Sequence, residues 1–178
     1  MILLCDTRQK IDKHSKKEKW FAAHDIEVRR TKLYCGDYTL PTDQSVCIDT
    51  KKDIQELVGD ICGKSHERFR DECIRAQEAG IKLIILVEND PEIVYSRNGK
   101  TIANNTITKL SELHRWVNPR LFIFQSGRQK YPNATKGVTL MKACMTMQRK
   151  YGVEFLFCSS NDAGRKIIEL LGGDNSFV

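Results

Sequence analysis

Several features that would assign this chain to a familiar class of protein are missing from its sequence. No apolar run reaches the roughly 18 residues that a membrane-spanning helix needs. The apolar start, residues 1–5, is followed at once by charged residues, unlike a secretory signal. The seven cysteines are odd in number and contain no CxxC pair, so we predict reduced, buried thiols. A cytoplasmic protein without a membrane partner is expected.

Acidic residues are missing from one long stretch, residues 113–153. The whole chain has a net charge of +6, and this stretch alone carries eight cations: Arg115, Arg120, Arg128, Lys130, Lys136, Lys142, Arg149 and Lys150. Clustered cations suit a polyanion such as DNA, because the neutralisation of phosphates drives binding. A solvated basic face is the alternative, and charge alone does not decide between the two.

What the chain contains is typical of one α/β domain. It has 178 residues, of which 40% are hydrophobic and 29% charged. Apolar periodicity predicts a central mixed sheet flanked by helices. In the first half we predict strands at 2–5, 26–33, 38–40, 45–51 and 83–87, the second to fourth forming a meander, and helices at 16–25, 53–61 and 66–79. In the second half we predict a loop at 95–105, helices at 106–117, 135–151 and 161–171, and strands at 121–124 and 154–158.

Two aspartates and a lysine surround one predicted hairpin, whose turn is at residues 41–44. Side chains of a strand alternate between faces, so Asp49 and Lys51 share one face and Thr50 lies on the other. If the turn is centred there, paired residue numbers sum to about 85, which places Asp37 beside Ile48 and Asp49. Cross-strand neighbours have Cβ atoms about 4.5–5.5 Å apart. The two carboxylates are therefore predicted to lie side by side.

Such a pair of carboxylates is suited to holding a metal ion. Adjacent negative charges repel unless a cation lies between them, and oxygen ligands favour Mg²⁺ or Mn²⁺. Lys51 would neutralise developing charge or position a water molecule, and Asp6 and Glu56 could add further carboxylates. The alternative is ordinary structure: Asp37 as a turn residue, with Asp49 and Lys51 on the exposed face of an edge strand.

The order of these residues resembles the XPF family of structure-specific nucleases, which contain the ERCC-type nuclease domain. The resemblance rests on GDY, then IDTK, then KSHERFRDECIRAQEAGIKLIILVE. Where the family has Gly-Asp, a short spacer and Glu-Arg-Lys, this chain has Gly36-Asp37 and Asp49-Thr50-Lys51. Thr50 thus replaces an arginine. Asp6-Thr7-Arg8 resembles the family's Asp-x-Arg, and Arg68-Phe69 resembles its Arg-Leu.

The resemblance implies a restriction-endonuclease-like fold of the PD-(D/E)xK type and a site containing Mg²⁺ or Mn²⁺. Asp37, Asp49 and Asp6 would be metal ligands, and Lys51 would assist catalysis. Glu56 would be the trailing acid of the motif, with Asp53 as the competing choice. The chain would be a single nuclease domain over 1–178, with a catalytic core at 1–90 and a basic half at 91–178.

The implied function is metal-dependent cleavage of branched or flapped DNA in repair, recombination or replication, in a small bacterial or phage protein. The tandem helix-hairpin-helix module of larger members is not found in this sequence, so monomer and homodimer both stay open. A Holliday-junction resolvase or a restriction-type nuclease would share the fold. The alternative outside enzymes is a module that binds branched DNA or a replication protein without cutting.

Contacts with DNA are predicted from both halves of the chain. Arg68 either faces the scissile phosphate or pairs with Glu72 four residues along the helix. Trp116 either stacks on an unpaired base or packs on the core. The full predicted set is Arg8, Arg68, Arg115, Trp116, Arg120, Arg128, Lys130 and Lys136.

Overall fold

A six-stranded mixed sheet forms the centre of the molecule in a computed structural model, which describes residues 1–9 and 15–172. The strands are β1 Ile2–Asp6, β2 Glu27–Thr31, β3 Tyr38–Thr39, β4 Val46–Lys51, β5 Lys82–Glu88, β6 Ile93–Tyr95, β7 Thr101–Asn104, β8 Phe124–Gln125, β9 Arg128–Gln129 and β10 Glu154–Cys158. The central sheet has the order β10-β5-β4-β3-β1-β2, and β6–β7 and β8–β9 are separate hairpins. The predicted mixed sheet is confirmed.

The direction of the strands changes only around β3. Strands β4, β5 and β10 run parallel, β1 and β2 run parallel, and β3 is antiparallel to both β1 and β4. The predicted meander of residues 26–51 is wrong, because β1 lies between β2 and β3. The burial of the strands explains this order: β1 is largely buried, whereas β2 is mostly exposed and suits an edge.

Helices cover both faces of the sheet. They are α1 Ser15–Ala23, α2 Ile54–Ile61, α3 His66–Glu78, α4 Gly137–Tyr151 and α5 Ala163–Leu170. Phe21 of α1 and Ile167 of α5 pack with Ile48, whereas Leu57 of α2 and Phe69 of α3 lie in the core on the opposite face. The alternation predicted along β4 therefore directs even-numbered residues to one helical layer and odd-numbered residues to the other.

The region from 93 to 125 differs most from its prediction. The predicted loop at 95–105 is the β6–β7 hairpin, whose turn contains Gly99 at φ 79°. The predicted helix at 106–117 is only a short 3-10 helix, Leu110–Arg115, and the predicted strand at 121–124 is largely a second one, Pro119–Phe122. Both segments are short and have polar or proline breaks, so the packing around them determines their conformation.

No helix in the described ranges is long and apolar enough to cross a membrane. The seven cysteines are free, and five are buried as predicted. Cys158 is partly buried, and Cys62 is exposed, because it lies at the end of α2 rather than on its apolar face.

Candidate active site

A cleft of about 460 Å³ opens beside the β3–β4 hairpin, between the end of the sheet and helices α2 and α3. It brings together residues from four separate segments of the chain. The predicted residues that line it are Asp6, Arg8, Asp37, Asp49, Lys51, Glu56 and Arg68. Every candidate from the first half is therefore at one site.

Asp37 is fixed opposite Asp49 by the hairpin. Tyr38 pairs with Ile48, and the Asp37 N–H donates to the Ile48 carbonyl at 2.7 Å. The Oδ2 atom of Asp37 accepts two hydrogen bonds from Thr50, from the backbone N–H at 2.8 Å and from the hydroxyl at 2.7 Å. The predicted juxtaposition of the two aspartates across the hairpin is confirmed.

The surroundings of both aspartates disfavour the ionised form of the carboxyl group. Burial raises the pKa of Asp37 above its ordinary value, against the lowering effect of the Thr50 hydrogen bonds. Burial and the nearby Asp37 also raise the pKa of Asp49, to about 8, although Lys51 opposes the rise. Asp49 is 5% exposed, so water does little to solvate its carboxylate. A cation that bound here would relieve this unfavourable charge.

Lys51 supplies a fixed positive charge inside the cleft. Its Nζ lies 2.7 Å from Asp49 Oδ2 and 2.8 Å from Asp60 Oδ2, and 5.1 Å from the centre of the Phe69 ring. Burial alone would lower the pKa of Lys51, but the two carboxylates raise it above its ordinary value. The ammonium has two carboxylate partners, while Asp49 has one ammonium neighbour and the carboxylates of Asp37 and Glu72 nearby. Lys51 therefore stays protonated.

The environment of Asp6 does not suit the role of metal ligand that was predicted for it. Its Oδ1 accepts the Arg8 N–H at 2.7 Å and Nε at 2.8 Å, and its Oδ2 accepts Arg8 Nη2 at 2.8 Å and the Leu33 N–H at 2.9 Å. Burial alone would raise the pKa of Asp6, but these four donors hold it below the ordinary value. Both oxygens are engaged, so Asp6 instead fixes Arg8 and the end of β2 at the rim of the cleft.

Residues on α2 and α3 form the other wall. Glu56 lines the cleft and accepts the Lys52 N–H at 2.8 Å, whereas its competitor Asp53 caps α2 by accepting the Glu56 N–H at 2.6 Å. The side chain of Arg68 is 81% exposed, and its Nη2 lies 4.0 Å from Asp60 Oδ1. The predicted alternative partner, Glu72, accepts the Gly36 N–H instead, at 2.9 Å.

Sequence patterns did not identify three polar residues of the cleft. Asp60 pairs with Lys51, Glu72 holds the turn before Asp37, and Gln9 donates from Nε2 to the Thr50 hydroxyl at 3.3 Å. A helical signal was present for the first, because Asp60 follows Glu56 by four residues on α2 and therefore shares its face. Gln9 had no comparable signal, since its place depends on the tertiary fold.

The predicted DNA contacts of the second half lie on the surface, with one exception. Arg115, Arg120, Arg128, Lys130 and Lys136 are exposed. Trp116 is 4% exposed and packs in the core with Leu113 and Leu140, so it cannot present a stacking face to a base. The alternative of core packing is the one observed.

The carboxylates fit a magnesium or manganese ion, with fewer protein ligands than predicted. Within the described residues, no three acidic, histidine or cysteine side chains converge as a metal-binding group. Mg²⁺ commonly takes one or two protein carboxylates and keeps several waters. The Asp49 Oδ2 atom is buried without a regular hydrogen bond, and the ion pair with Lys51 Nζ at 2.7 Å balances its charge. Asp37 and Asp49 are thus suitable ligands, and Asp6 is not.

The mixed sheet between two helical layers, with paired carboxylates and a lysine at one hairpin, defines an α/β domain of the restriction-endonuclease-like class. The sequence model of the ERCC4 domain matches residues 5–170, and the chain belongs to the ERCC4 domain family. No curated protein matched significantly.

Two solved structures of XPF from Aeropyrum pernix share the fold. The first has a TM-score of 0.57 and 15% identity, and the second, a complex with DNA, has a TM-score of 0.56 and 16% identity. Each match covers 96% of this chain and 63% of the matched chain. The predicted family and fold class are confirmed.

Proposed function

We propose that this protein is a metal-dependent DNA endonuclease that acts on branched or flapped DNA. The observation that carries the proposal is the pair of the partly buried Asp37 and the buried Asp49, with Lys51 2.7 Å from Asp49, facing a cleft that opens to solvent. Membership of the ERCC4 domain family and similarity to an XPF that was solved with DNA support it. Such an activity would serve in DNA repair, recombination or replication.

Each side chain of the cleft has a task in this proposal. Asp37 and Asp49 would hold Mg²⁺ or Mn²⁺, which when bound would polarise the scissile phosphate and lower the pKa of a water molecule. Lys51 offsets negative charge that develops on the phosphate, because burial and two carboxylates keep it protonated. Arg68 is exposed at the rim and reaches toward an incoming phosphate. Glu56 lies beside the cleft as the trailing acid.

The decisive test is cleavage of flap, fork, Holliday-junction and blunt duplex DNA with Mg²⁺. We expect Asp49→Asn to lower the cleavage rate by roughly 100-fold or more, because charge stabilisation at a reacting phosphate has this scale. The matched control is Asp43→Asn, which changes an exposed aspartate in the turn of the same hairpin. Equal rates for wild type and Asp49→Asn would contradict the proposal. Binding of branched DNA without any cleavage would favour the non-cutting module.

The substrate preference separates the remaining alternatives. Preference for flaps or forks agrees with the proposal, whereas preference for four-way junctions indicates a resolvase and cleavage of one blunt duplex sequence indicates a restriction-type nuclease. We propose that the whole chain works as one nuclease domain, since the family match extends through both halves.

A further inference from the structure

The second half of the chain exposes aromatic side chains that the proposed cleavage site does not use. Phe124 on β8 is 42% exposed, and Tyr131 just after β9 is 37% exposed. Tyr95 at the end of β6 is 52% exposed. Large apolar side chains that cluster at a surface commonly mark a binding site. Trp116, which sequence alone suggested for this role, is buried.

Exposed cations lie against two of these rings. The Arg97 guanidinium is 5.6 Å from the centre of the Phe124 ring. Arg120 and Lys130 lie 5.6 Å and 5.5 Å from the centre of the Tyr131 ring. Cations at this distance are attracted by the electrons of the ring face. We call these five residues the aromatic platform.

The platform is held by a well-defined hairpin. Ser126 and Gly127 form its tip with φ values of 51° and 76°, which suit a tight two-residue turn between β8 and β9. The Lys130 N–H donates to the Ile123 carbonyl at 2.7 Å and closes the base. The rings of Phe124 and Tyr131 are therefore displayed from a fixed backbone.

The stretch of sequence that carries the platform is poor in acidic residues. Between residues 93 and 153 the sequence contains a single acidic residue, Glu112. Its carboxylate lies 3.1 Å from Arg115 and accepts the Thr108 N–H at 2.9 Å. The β8–β9 hairpin and its cations therefore form a positive surface, which suits a polyanion, and the acids nearest to it are those of the cleft beside Arg120, namely Asp53, Glu88, Asp90 and Glu92.

A second cleft, of about 440 Å³, connects the platform with the active site. Arg120 of the platform lines this second cleft together with Ile123 and Lys52. Lys52 also lines the first cleft. Lys52 and Arg120 are thus the two cations at the ends of a route from the aspartates to the platform, and a strand on this route would pass along the rim of the cleft, away from its acids Asp53, Glu88, Asp90 and Glu92.

We propose that the aromatic platform binds an unpaired DNA strand. Bases stack on the faces of Phe124 and Tyr131 in place of the cations that lie over these rings, and Arg97, Arg120 and Lys130 then contact the phosphates. Aromatic faces accept any base, and cations follow the backbone, which is how single strands are bound without sequence preference. Bases in a duplex are already stacked on one another, so the platform selects a flap or a single-stranded arm. The inference rests on the proposed function for its ligand, but it does not depend on cleavage.

The test is DNA binding by the full chain in EDTA, where failure to cleave has no effect. Fluorescence anisotropy compares a labelled single-stranded oligothymidine, a blunt duplex and the same duplex with an overhang. We expect Phe124→Leu and Tyr131→Leu each to weaken binding of the single strand by roughly fivefold or more, the scale of losing one stacked base. Binding of the blunt duplex should change by less than about twofold, because no stacking is lost there.

Two further variants separate stacking from exposed apolar area. Phe124→Trp keeps a ring and should retain the wild-type affinity for the single strand. Met145→Ala removes an exposed apolar side chain from α4, outside the platform, and should change nothing. Melting temperatures of all variants establish that they fold.

The possible results are distinct. Unchanged single-strand affinity in both leucine variants, or no single-strand binding by the wild type, overturns the inference. An equal loss for single strand and blunt duplex also overturns it, because the surface would then be a general cationic face. If the leucine variants lose single-strand binding selectively while the wild type cleaves no substrate with Mg²⁺, the platform stands and the proposed nuclease function fails.

Discussion

At the scale of single residues, Thr50 fixes the orientation of the Asp37 carboxylate. The family signature has an arginine at this position, and threonine brings a short hydroxyl instead. That hydroxyl and the Thr50 N–H both donate to Asp37 Oδ2, and Gln9 in turn donates to the hydroxyl. Donors to a carboxylate stabilise its ionised form and fix its orientation. Threonine at this position therefore orients the Asp37 carboxylate and favours its ionised form.

Replacing Thr50 tests this role. Thr50→Val keeps the shape and the backbone N–H but removes the hydroxyl, so the pKa of Asp37 should rise further and the carboxylate should hold metal less well. We expect the Mg²⁺ concentration for half-maximal cleavage to increase by roughly 10-fold, as for other residues that orient a metal ligand. The pH profile of cleavage should shift to higher pH.

Thr50→Ser is the matched control, because it retains the hydroxyl and should retain both the Mg²⁺ requirement and the pH profile. A valine variant with the wild-type Mg²⁺ requirement would show that the hydroxyl has only a packing role. A lower melting temperature of Thr50→Val, without a change in its pH profile, would lead to the same conclusion.

At the scale of elements, the turn before β3 places Asp37 within the cleft. Gly36 has φ of 68°, and a Cβ there would lie 3.0 Å from the Ile48 carbonyl oxygen and 3.1 Å from Cys47 Cβ. Its N–H donates to Glu72, which connects the turn to α3. The position therefore needs glycine for two reasons, its backbone conformation and the close approach of β4.

A comparison of two glycines separates these reasons. Gly36→Ala and Gly80→Ala both place alanine at a positive φ, 68° and 67°, but a Cβ at Gly80 meets nothing within 4 Å. We expect Gly80→Ala to lower the free energy of unfolding by about 1–2 kcal/mol, and Gly36→Ala to lower it by more, because its Cβ also meets β4. Only Gly36→Ala should also reduce cleavage, by roughly 10-fold or more, because it displaces Asp37 from Asp49.

Chemical denaturation and cleavage assays on the two variants give the measurement. Similar cleavage rates in both would indicate that the hairpin tolerates the displacement, and that Gly36 serves stability alone.

Elements with a strong apolar pattern could be predicted from sequence, and so could the part of the site that they carry. The period of β4 and the turn at 41–44 placed Asp37 opposite Asp49, and helical spacing gave α2, α3 and α4. The insertion of β1 between β2 and β3 follows no local pattern, because strand order is a tertiary property. For the same reason the sequence did not show that Asp6 would be saturated by Arg8 and Leu33.

At the scale of the whole molecule, the site is a source of instability that a cation can offset. Asp49 is buried and the neighbouring Asp37 is partly buried, and the loss of hydration raises the pKa of each. Their neighbours are Lys51, which opposes the rise for both aspartates, and Glu72, which adds to it. Asp60 takes part indirectly, because its carboxylate contacts the same Lys51 ammonium as Asp49 does. Functional sites commonly contain such unfavourable arrangements, and the rest of the fold compensates for them.

The pH dependence of the metal-free protein should reveal this instability. The pKa of Asp49 is 3.8 ordinarily and about 8 in the folded chain, so between these values the folded state binds more protons than the unfolded state. Stability then falls as the pH rises through this window, and is greatest at its acidic end. We expect the melting temperature in EDTA to fall between about pH 5 and about pH 8, and to fall less in Asp49→Asn, which has no charge to lose at this site.

Mg²⁺ should reverse the loss at the alkaline end, because an ion that binds only the folded state stabilises it by mass action. At about 100 times its dissociation constant the gain is roughly 2.7 kcal/mol, which for a chain of this size raises the melting temperature by roughly 5–10 °C. The gain should be smaller near pH 5, where protons compete for the aspartates, and absent in Asp49→Asn. Asp43→Asn should behave as the wild type, and NaCl at matched ionic strength controls for screening. An equal gain in wild type and Asp49→Asn would place the ion elsewhere on the protein and separate the instability of the aspartates from metal binding.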